Sequence, residues 1–308
     1  MITTASYAPG VIALALSLEA VGSRARLRVL ATCTAALDAL HAEMSTSTSS
    51  LPAPQCIDFE LMEIELPLAE MGAKTHGGRG ATLAVDAPRR ALWLRGVPFV
   101  LLDCDMIALQ NPDELLNILL RTTTSSSHGD DGSDDDEGRA LWAVPAFRLK
   151  KRAFGHEASG GGFNAGVMLV RRPLLSDAET LSQLVIDAGP DDTEESMLNV
   201  IFKKGRWGEL PRGFNVPKRV CAHAPDLWAE LLVKREIIFL HFLGAKPWMK
   251  NIASRKSADW ESERIEYTDF LEPIWWLLRR GGAKVGPDGT LLHLFEAASS
   301  ATSSSSTS

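Results

Sequence analysis

The run Val97-Pro98-Phe99-Val100-Leu101-Leu102-Asp103-Cys104-Asp105 constrains this chain more than any other stretch. An apolar segment of strand length that closes on two carboxylates must bury its body and release its end. Side chains alternate faces along a strand, so Asp103 and Asp105, two apart, converge on one point where the chain leaves a sheet. Two carboxylates crowded there repel each other unless a cation lies between them. Hard oxygen ligands suit Mg²⁺ or Mn²⁺, ions that take only one or two protein carboxylates when they carry a phosphorylated substrate. The same residues could form a solvated acidic turn, and an Asp-x-Asp pattern alone does not decide between the two.

Two further segments bear on that choice. Ile237-Ile238-Phe239-Leu240-His241-Phe242-Leu243-Gly244-Ala245-Lys246-Pro247-Trp248 is a second apolar strand that delivers a His, a Gly and a Lys into a Pro-terminated loop. His241 is either a buried core residue or a third metal ligand through a neutral imidazole nitrogen. Gly244 allows close backbone approach to a ligand, and Lys246 adds a point charge suited to a diphosphate. Gly160 to Val170 is a glycine-rich loop running into a strand, in which the Asn164 amide can both donate to and accept from sugar hydroxyls. It lacks the Lys-Ser/Thr of a phosphate-cradling P-loop.

Taken in order, these segments resemble glycosyltransferase family 8, the glycogenin-like and galactinol-synthase-like retaining enzymes. Thr3-Thr4-Ala5-Ser6-Tyr7-Ala8-Pro9-Gly10 resembles the family's opening nucleotide-binding segment, and Asp103-Cys104-Asp105 its metal motif. Phe163-Asn164-Ala165-Gly166-Val167-Met168, Leu210-Pro211-Arg212-Gly213-Phe214-Asn215 and the stretch His241 to Trp248 match three more of its elements, so the resemblance covers about residues 1 to 280. The His-to-Trp stretch is the most specific of them.

The resemblance implies an α/β fold of GT-A type, a Rossmann-like mixed sheet flanked by helices. It implies that Asp103, Asp105 and His241 hold Mn²⁺, with Mg²⁺ as the alternative, against the diphosphate of a UDP-sugar. Lys246 and the Gly244 backbone would meet the phosphates, Tyr7 the uracil, Thr3 the nucleoside, and Asn164 the donor sugar. Where the family carries Asp-Gln at the reacting sugar, this chain reads Glu194-Glu195, with Asp191 a few residues earlier. Carboxylates also favour the first turn of a helix through its dipole. Arg89 stands where the family has a basic residue upstream of a Trp, here Trp93. Met1-Ile2 leaves room for only a very short first strand, or marks a truncated start.

Around these motifs the pattern alternates helix and strand: helices at Val11 to Val21, Thr34 to Met44, Pro112 to Leu120, Pro173 to Ala188, Glu194 to Lys203 and Thr268 to Arg279, with strands at Leu27 to Thr32, Asp58 to Leu66 and Ala140 to Pro145. One catalytic domain over 1–285 is expected, interrupted by disordered insertions at about 45–54 and 121–138 and followed by a Ser/Thr-rich tail, 297–308. The second insertion is strongly acidic. Because it joins a helix to the start of a strand, it should lie at the sheet edge remote from the ligand-binding carboxyl ends. Trp275-Trp276 could stack on a sugar or pack in the core, and core packing is expected.

The net charge of −7, without a basic stripe, argues against a nucleic-acid partner. Cys33, Cys56, Cys104 and Cys221 form no Cys-x-x-Cys pair, and no apolar run reaches membrane-spanning length, so a cytoplasmic protein without a membrane span is expected. Only two tyrosines are present, Tyr7 and Tyr267. A primer built on the chain's own tyrosine is therefore not expected, and the acceptor should be a separate small polyol, sugar or glycan. Two rival functions remain at this stage: a haloacid-dehalogenase-like phosphotransferase, in which Asp103 would be the nucleophile, and a nucleotide-sugar-binding protein without turnover. The first gives no role to His241 or Asn164.

Overall fold

The computed structural model describes residues 2–31, 33–45, 54–61, 92–94, 96–124, 139–147, 162–175, 194–202, 206–244 and 246–248, together with 271, 274–276 and 278. Three sheets and the helices on them follow from these segments. In the first, β1 (Ile2–Thr3), β2 (Leu27–Ala31) and β3 (Ile57–Leu61) pair in parallel in that order. The opening strand is indeed only two residues long.

A 3-10 turn, Ala5–Tyr7, leads from β1 into α1 (Ala8–Ala20). Pro9 in its first turn is preset for helical φ and lacks the N–H that would otherwise go unpaired there, so the helix starts earlier than the apolar run from Val11 indicates. α1 is apolar on nearly every side and its residues from Val11 to Leu18 are buried, which makes it a core helix rather than a surface one. Its one buried hydroxyl is used: Ser17 Oγ accepts from the backbone N–H of Ala108 at 2.8 Å. α2 (Thr34–Ser45) packs on α1 and turns Ala36 and Leu40 inward.

The second sheet runs in the order β4 (Phe99–Leu102), β7 (Phe163–Val170), β6 (Leu141–Pro145), β8 (Gly208–Glu209). Both β4 and β6 are antiparallel to β7. The ladder of β6 on β7 steps from Ala143–Met168 to Val144–Asn164, an irregularity that leaves Ala165 to Val167 without a β6 partner between the two pairs. Such irregularities re-aim side chains beside functional sites.

The third sheet, β5 (Met106–Ala108), β10 (Phe239–His241) and β9 (Val216–Pro217), has β10 in the middle, antiparallel to β5 and parallel to β9. β5 was not foreseen, because three buried residues directly after an acidic pair carry no periodicity. The remaining helices are α3 (Glu114–Thr124), α4 (Glu194–Ile201), α5 (Val220–His223) and α6 (Pro225–Val233). The last two were also not anticipated.

Several boundaries differ from the sequence expectation. α3 continues through Thr124, one turn beyond Leu120 and into the segment expected to be disordered. Its apolar face carries helix propagation into residues that are poor helix formers but not breakers. The helix expected from Pro173 does not begin there: Pro173 to Leu175 are non-helical, and the N–H groups of Leu174 and Leu175 donate to the Trp93 carbonyl at 2.7 and 3.2 Å. α4 ends at Ile201 rather than Lys203. Residues 62–66, 125–138 and 176–188, most of the 45–54 segment, Asp191 and the tail lie outside the described residues. Downstream of the acidic segment, Leu141 is level with Phe99, both opposite Val170, at the end of β7 away from Asp103. Trp275 is buried at 1 % exposure, as core packing requires, whereas Trp276, edge-on to it, is exposed at 36 %, so core packing holds for only one of the pair.

Candidate active site

Sheet register brings the acidic pair and the histidine together. The N–H of Asp103 donates to the Gly166 carbonyl at 2.8 Å, extending the β4–β7 ladder one residue past the strand. His241 pairs with Met106, and the N–H of Phe242 donates to the Asp105 carbonyl at 2.8 Å, so the β5–β10 ladder carries Asp105 alongside His241. Two different sheets thus place three side chains whose ligand atoms all lie within 4.8 Å of one another. His241 Nε2 is 3.5 Å from Asp103 Oδ2 and 3.2 Å from Asp105 Oδ1. An imidazole nitrogen and two carboxylates form a donor set that fits a divalent cation such as Mn²⁺ or Mg²⁺.

Lys246 closes the site on the other side. Its ammonium donates to Asp105 Oδ2 and to the Phe242 carbonyl, the latter at 3.0 Å, and lies 5.7 Å from the centroid of the Tyr7 ring. Burial pushes the Asp105 carboxyl up, but the neighbouring His241 and Lys246 outweigh it and hold the group well below the usual carboxylate range. Burial likewise pulls Lys246 down, and Asp105 and Tyr7 more than restore it, so the ammonium stays charged. Desolvation, checked by Lys246, pushes the Tyr7 phenol up. A buried anion and a buried cation are therefore held ionised by each other.

The Tyr7 turn is fixed from outside. Trp248 Nε1 donates to the Ser6 carbonyl at 2.8 Å and its ring meets Tyr7 edge-on at 6.0 Å. Gly10 is needed where α1 touches the acidic turn: a β-carbon there would lie 2.3 Å from the Cys104 carbonyl and 2.5 Å from the Trp248 ring. Thr3 is buried at the end of β1, its hydroxyl donating to the Thr4 carbonyl at 3.1 Å. Gly244 adopts φ +78° in the loop that carries Lys246, a conformation that favours glycine.

Asn164 and Glu195 also come together. Asn164 Nδ2 and the N–H of Ala165 donate to Glu195 Oε2 at 2.8 and 3.0 Å. Asn199, one turn along α4, accepts from the N–H of Phe163 and donates to its carbonyl, both at 2.9 Å, clamping the helix to the start of β7. Glu194 is placed differently: it is buried at 4 % exposure and accepts from Trp93 Nε1 at 3.1 Å. Arg89 lies outside the described residues.

One participant closes the Leu-Pro-x-x-Phe-Asn element but was given no role by sequence reasoning. Asn215 is 1 % exposed and joins the two halves of the site: its Oδ1 is 2.8 Å from His241 Nδ1, and its Nδ2 donates to Asn164 Oδ1 at 2.5 Å. The family element was the signal for it, and its partner became visible once β9, which follows it directly, is seen to pair with β10.

Fold and site together define a glycosyltransferase of GT-A type. The pattern of glycosyl transferase family 8 matches residues 99–252, and the chain belongs to that family. Among solved structures, it resembles the galactosyltransferase LgtC in complex with donor and acceptor sugar analogues, at 17% identity and TM-score 0.55 over 93% of this chain and 96% of that one. An active-site glutamine-to-glutamate mutant of LgtC is similar at 18% identity and TM-score 0.51, over 85% and 98%. The apo form of the glycosyltransferase GlyE of Streptococcus pneumoniae TIGR4 is similar at 15% and TM-score 0.50, over 97% of this chain and 62% of that one. No curated protein matches this chain. Among the described residues, no helix is long and apolar enough to cross a membrane.

Proposed function

We propose that the chain moves a hexose from a UDP-sugar to a separate hydroxyl acceptor, using a divalent ion, Mn²⁺ or alternatively Mg²⁺, held by Asp103, Asp105 and His241. The observation that carries this reading is the convergence of those three side chains beside Lys246 and Tyr7, at the point where three loops meet. Cleavage of the donor leaves negative charge on UDP, and catalysis follows from stabilising charge that is larger in the transition state than in the ground state. A bound ion would supply Lewis-acid stabilisation of that charge. Lys246 adds a second positive charge on a short loop whose turn Gly244 permits. Tyr7, with Thr3 behind it, offers a face to the uracil, and Trp248 holds that face in place.

Asn164 and Glu195 form the sugar end of the site in this account, with Glu194 anchoring the start of α4 beneath Trp93. The complex of LgtC with donor and acceptor sugar analogues supports transfer between a sugar donor and a sugar-like acceptor. The chain's scarcity of tyrosines supports a separate acceptor: Tyr7 is committed to Trp248 and Lys246, which leaves Tyr267 alone. Arg89, which matches the family's basic residue upstream of Trp93, would meet the donor.

A panel of UDP-hexoses incubated with Mn²⁺ and scored for UDP release tests this reading. Release from at least one donor, abolished by chelation, is expected. Release of phosphate from an aryl phosphate instead would support the phosphotransferase alternative, and donor binding with no release would support a binding protein.

A further inference from the structure

The polar contacts between Glu195 and His241 have a direction that can be read from one fixed point. The backbone N–H of Gly166 donates to the Asn164 side chain at 2.9 Å, and a backbone N–H can only donate, so the atom it meets is the amide oxygen. That oxygen also faces Asn215 at 2.5 Å, so Asn215 must present its NH₂ there. Its remaining atom, the oxygen, is then what faces His241 Nδ1 at 2.8 Å. An oxygen without a proton accepts only, so Nδ1 carries the hydrogen. At the other end, the Asn164 NH₂ meets a carboxylate oxygen of Glu195 that already accepts from Ala165, which suits the same orientation.

We propose that Asn215 is a positioning residue that fixes the His241 proton on Nδ1 and so turns the Nε2 lone pair toward Asp103 and Asp105, with Asn164 setting the orientation of Asn215. This rests on the transferase reading only for its purpose, that of presenting a basic nitrogen to a cation. The hydrogen bond made by one ring nitrogen sets what the other can do, and such partners commonly govern metal affinity. Asn215 and His241 are both essentially inaccessible to solvent, at 1 % and 0 % exposure, so water does not compete for Nδ1. The consequence runs in both directions: the residue at the sugar end and the residue at the metal end share one chain of amides, and a turn of either amide reverses the donors along it.

The test is a long-range proton–nitrogen correlation spectrum of protein labelled with ¹⁵N in its histidine rings, chelator-treated and held at about pH 8.5, where ordinary histidines are neutral. The His241 signals are assigned by their loss in His241→Gln. In the wild-type spectrum the neutral ring should carry its proton on Nδ1. In Asn215→Leu the proton should move wholly or partly to Nε2, and Mn²⁺ affinity measured by calorimetry should fall about 10- to 100-fold. Asn215→Asp keeps an acceptor at Nδ1, should retain the wild-type tautomer, and should bind Mn²⁺ more tightly than Asn215→Leu. A wild-type His241 bearing its proton on Nε2 overturns the proposal, as does a folded Asn215→Leu with the tautomer unchanged. Should Asn215→Leu fail to fold, the wild-type spectrum and Asn215→Asp still decide. A wild type with the Nδ1 proton but no UDP release from any donor would sustain this proposal while removing the transferase reading. Active protein with the Nε2 tautomer would do the reverse.

Discussion

Gly166 and His241 lie so close that a β-carbon on Gly166 would fall 2.5 Å from Cε1 of the imidazole and 2.7 Å from Nδ1. The ring therefore rests directly on the β7 backbone, and the sequence element Asn-Ala-Gly is matched to a histidine 75 residues further along. Gly166→Ala should push the ring off its seat. We expect Mn²⁺-dependent UDP release to fall at least about tenfold, with a stability loss of about 1–3 kcal/mol from overpacking. Urea denaturation alongside the activity assay separates the two effects. Unchanged activity in the alanine variant would mean that the ring has room to spare.

Asp113, just before α3, accepts from Ser23 Oγ at 2.6 Å, from the N–H of Arg24 at 3.1 Å and from its guanidinium at 3.1 Å, tying α3 to the turn after α1. Burial pushes this carboxyl up, and these donors outweigh it, so its folded value lies below the ordinary one. A depressed carboxylate contributes stability above its unfolded pKa of about 3.9 and loses it as pH falls through the lower folded value. Asp113→Ala should therefore cost about 1–2 kcal/mol at neutral pH, with the gap from wild type closing below about pH 4. A gap that persists to about pH 2 would point to packing rather than charge.

Much of this site is visible in the sequence. Asp103 and Asp105 follow one apolar strand and His241 ends another. The two carboxylates converge as expected, but on a bend after β4 whose ends are held by two different sheets, not by alternation along one strand. Lys246 and Gly244 follow from the same segment. Pairings between sheets were not legible: the three-residue strand β5, which seats Asp105 beside His241, carries no pattern of its own, and Asn215 gains meaning only from β9 lying against β10. Glu194 and Glu195 illustrate a second limit. Adjacent on one helix start, they point apart, one under the Trp93 indole and the other to Asn164, and side-chain direction at a helix terminus depends on neighbours that spacing does not reveal.

Glu195 holds Asn164, and under the proposed function both face the donor sugar. A carboxylate accepts hydrogen bonds from sugar hydroxyls but cannot donate as an amide does. Glu195→Gln keeps an oxygen for Asn164 and adds a donor, so it should change the ratios of kcat/KM among UDP-hexoses by several-fold while leaving the fold intact. Identical donor profiles for variant and parent would restrict Glu195 to holding Asn164.

Incubation of the chain with each UDP-hexose and Mn²⁺, followed by intact mass measurement, should show no added sugars. A ladder of hexose additions that disappears in Tyr267→Phe would mean that the chain serves as its own acceptor.

Mn²⁺-dependent UDP binding, measured by calorimetry on the wild type, Asp105→Asn and His241→Ala, tests the central claim most directly. If one ion joins the Asp103, Asp105 and His241 cluster to the diphosphate, Mn²⁺ and UDP should each raise the affinity of the other in the wild type. Both variants should lose this linkage, together with at least about a hundredfold of any turnover. Wild-type Mn²⁺-dependent UDP affinity in both folded variants would contradict the account.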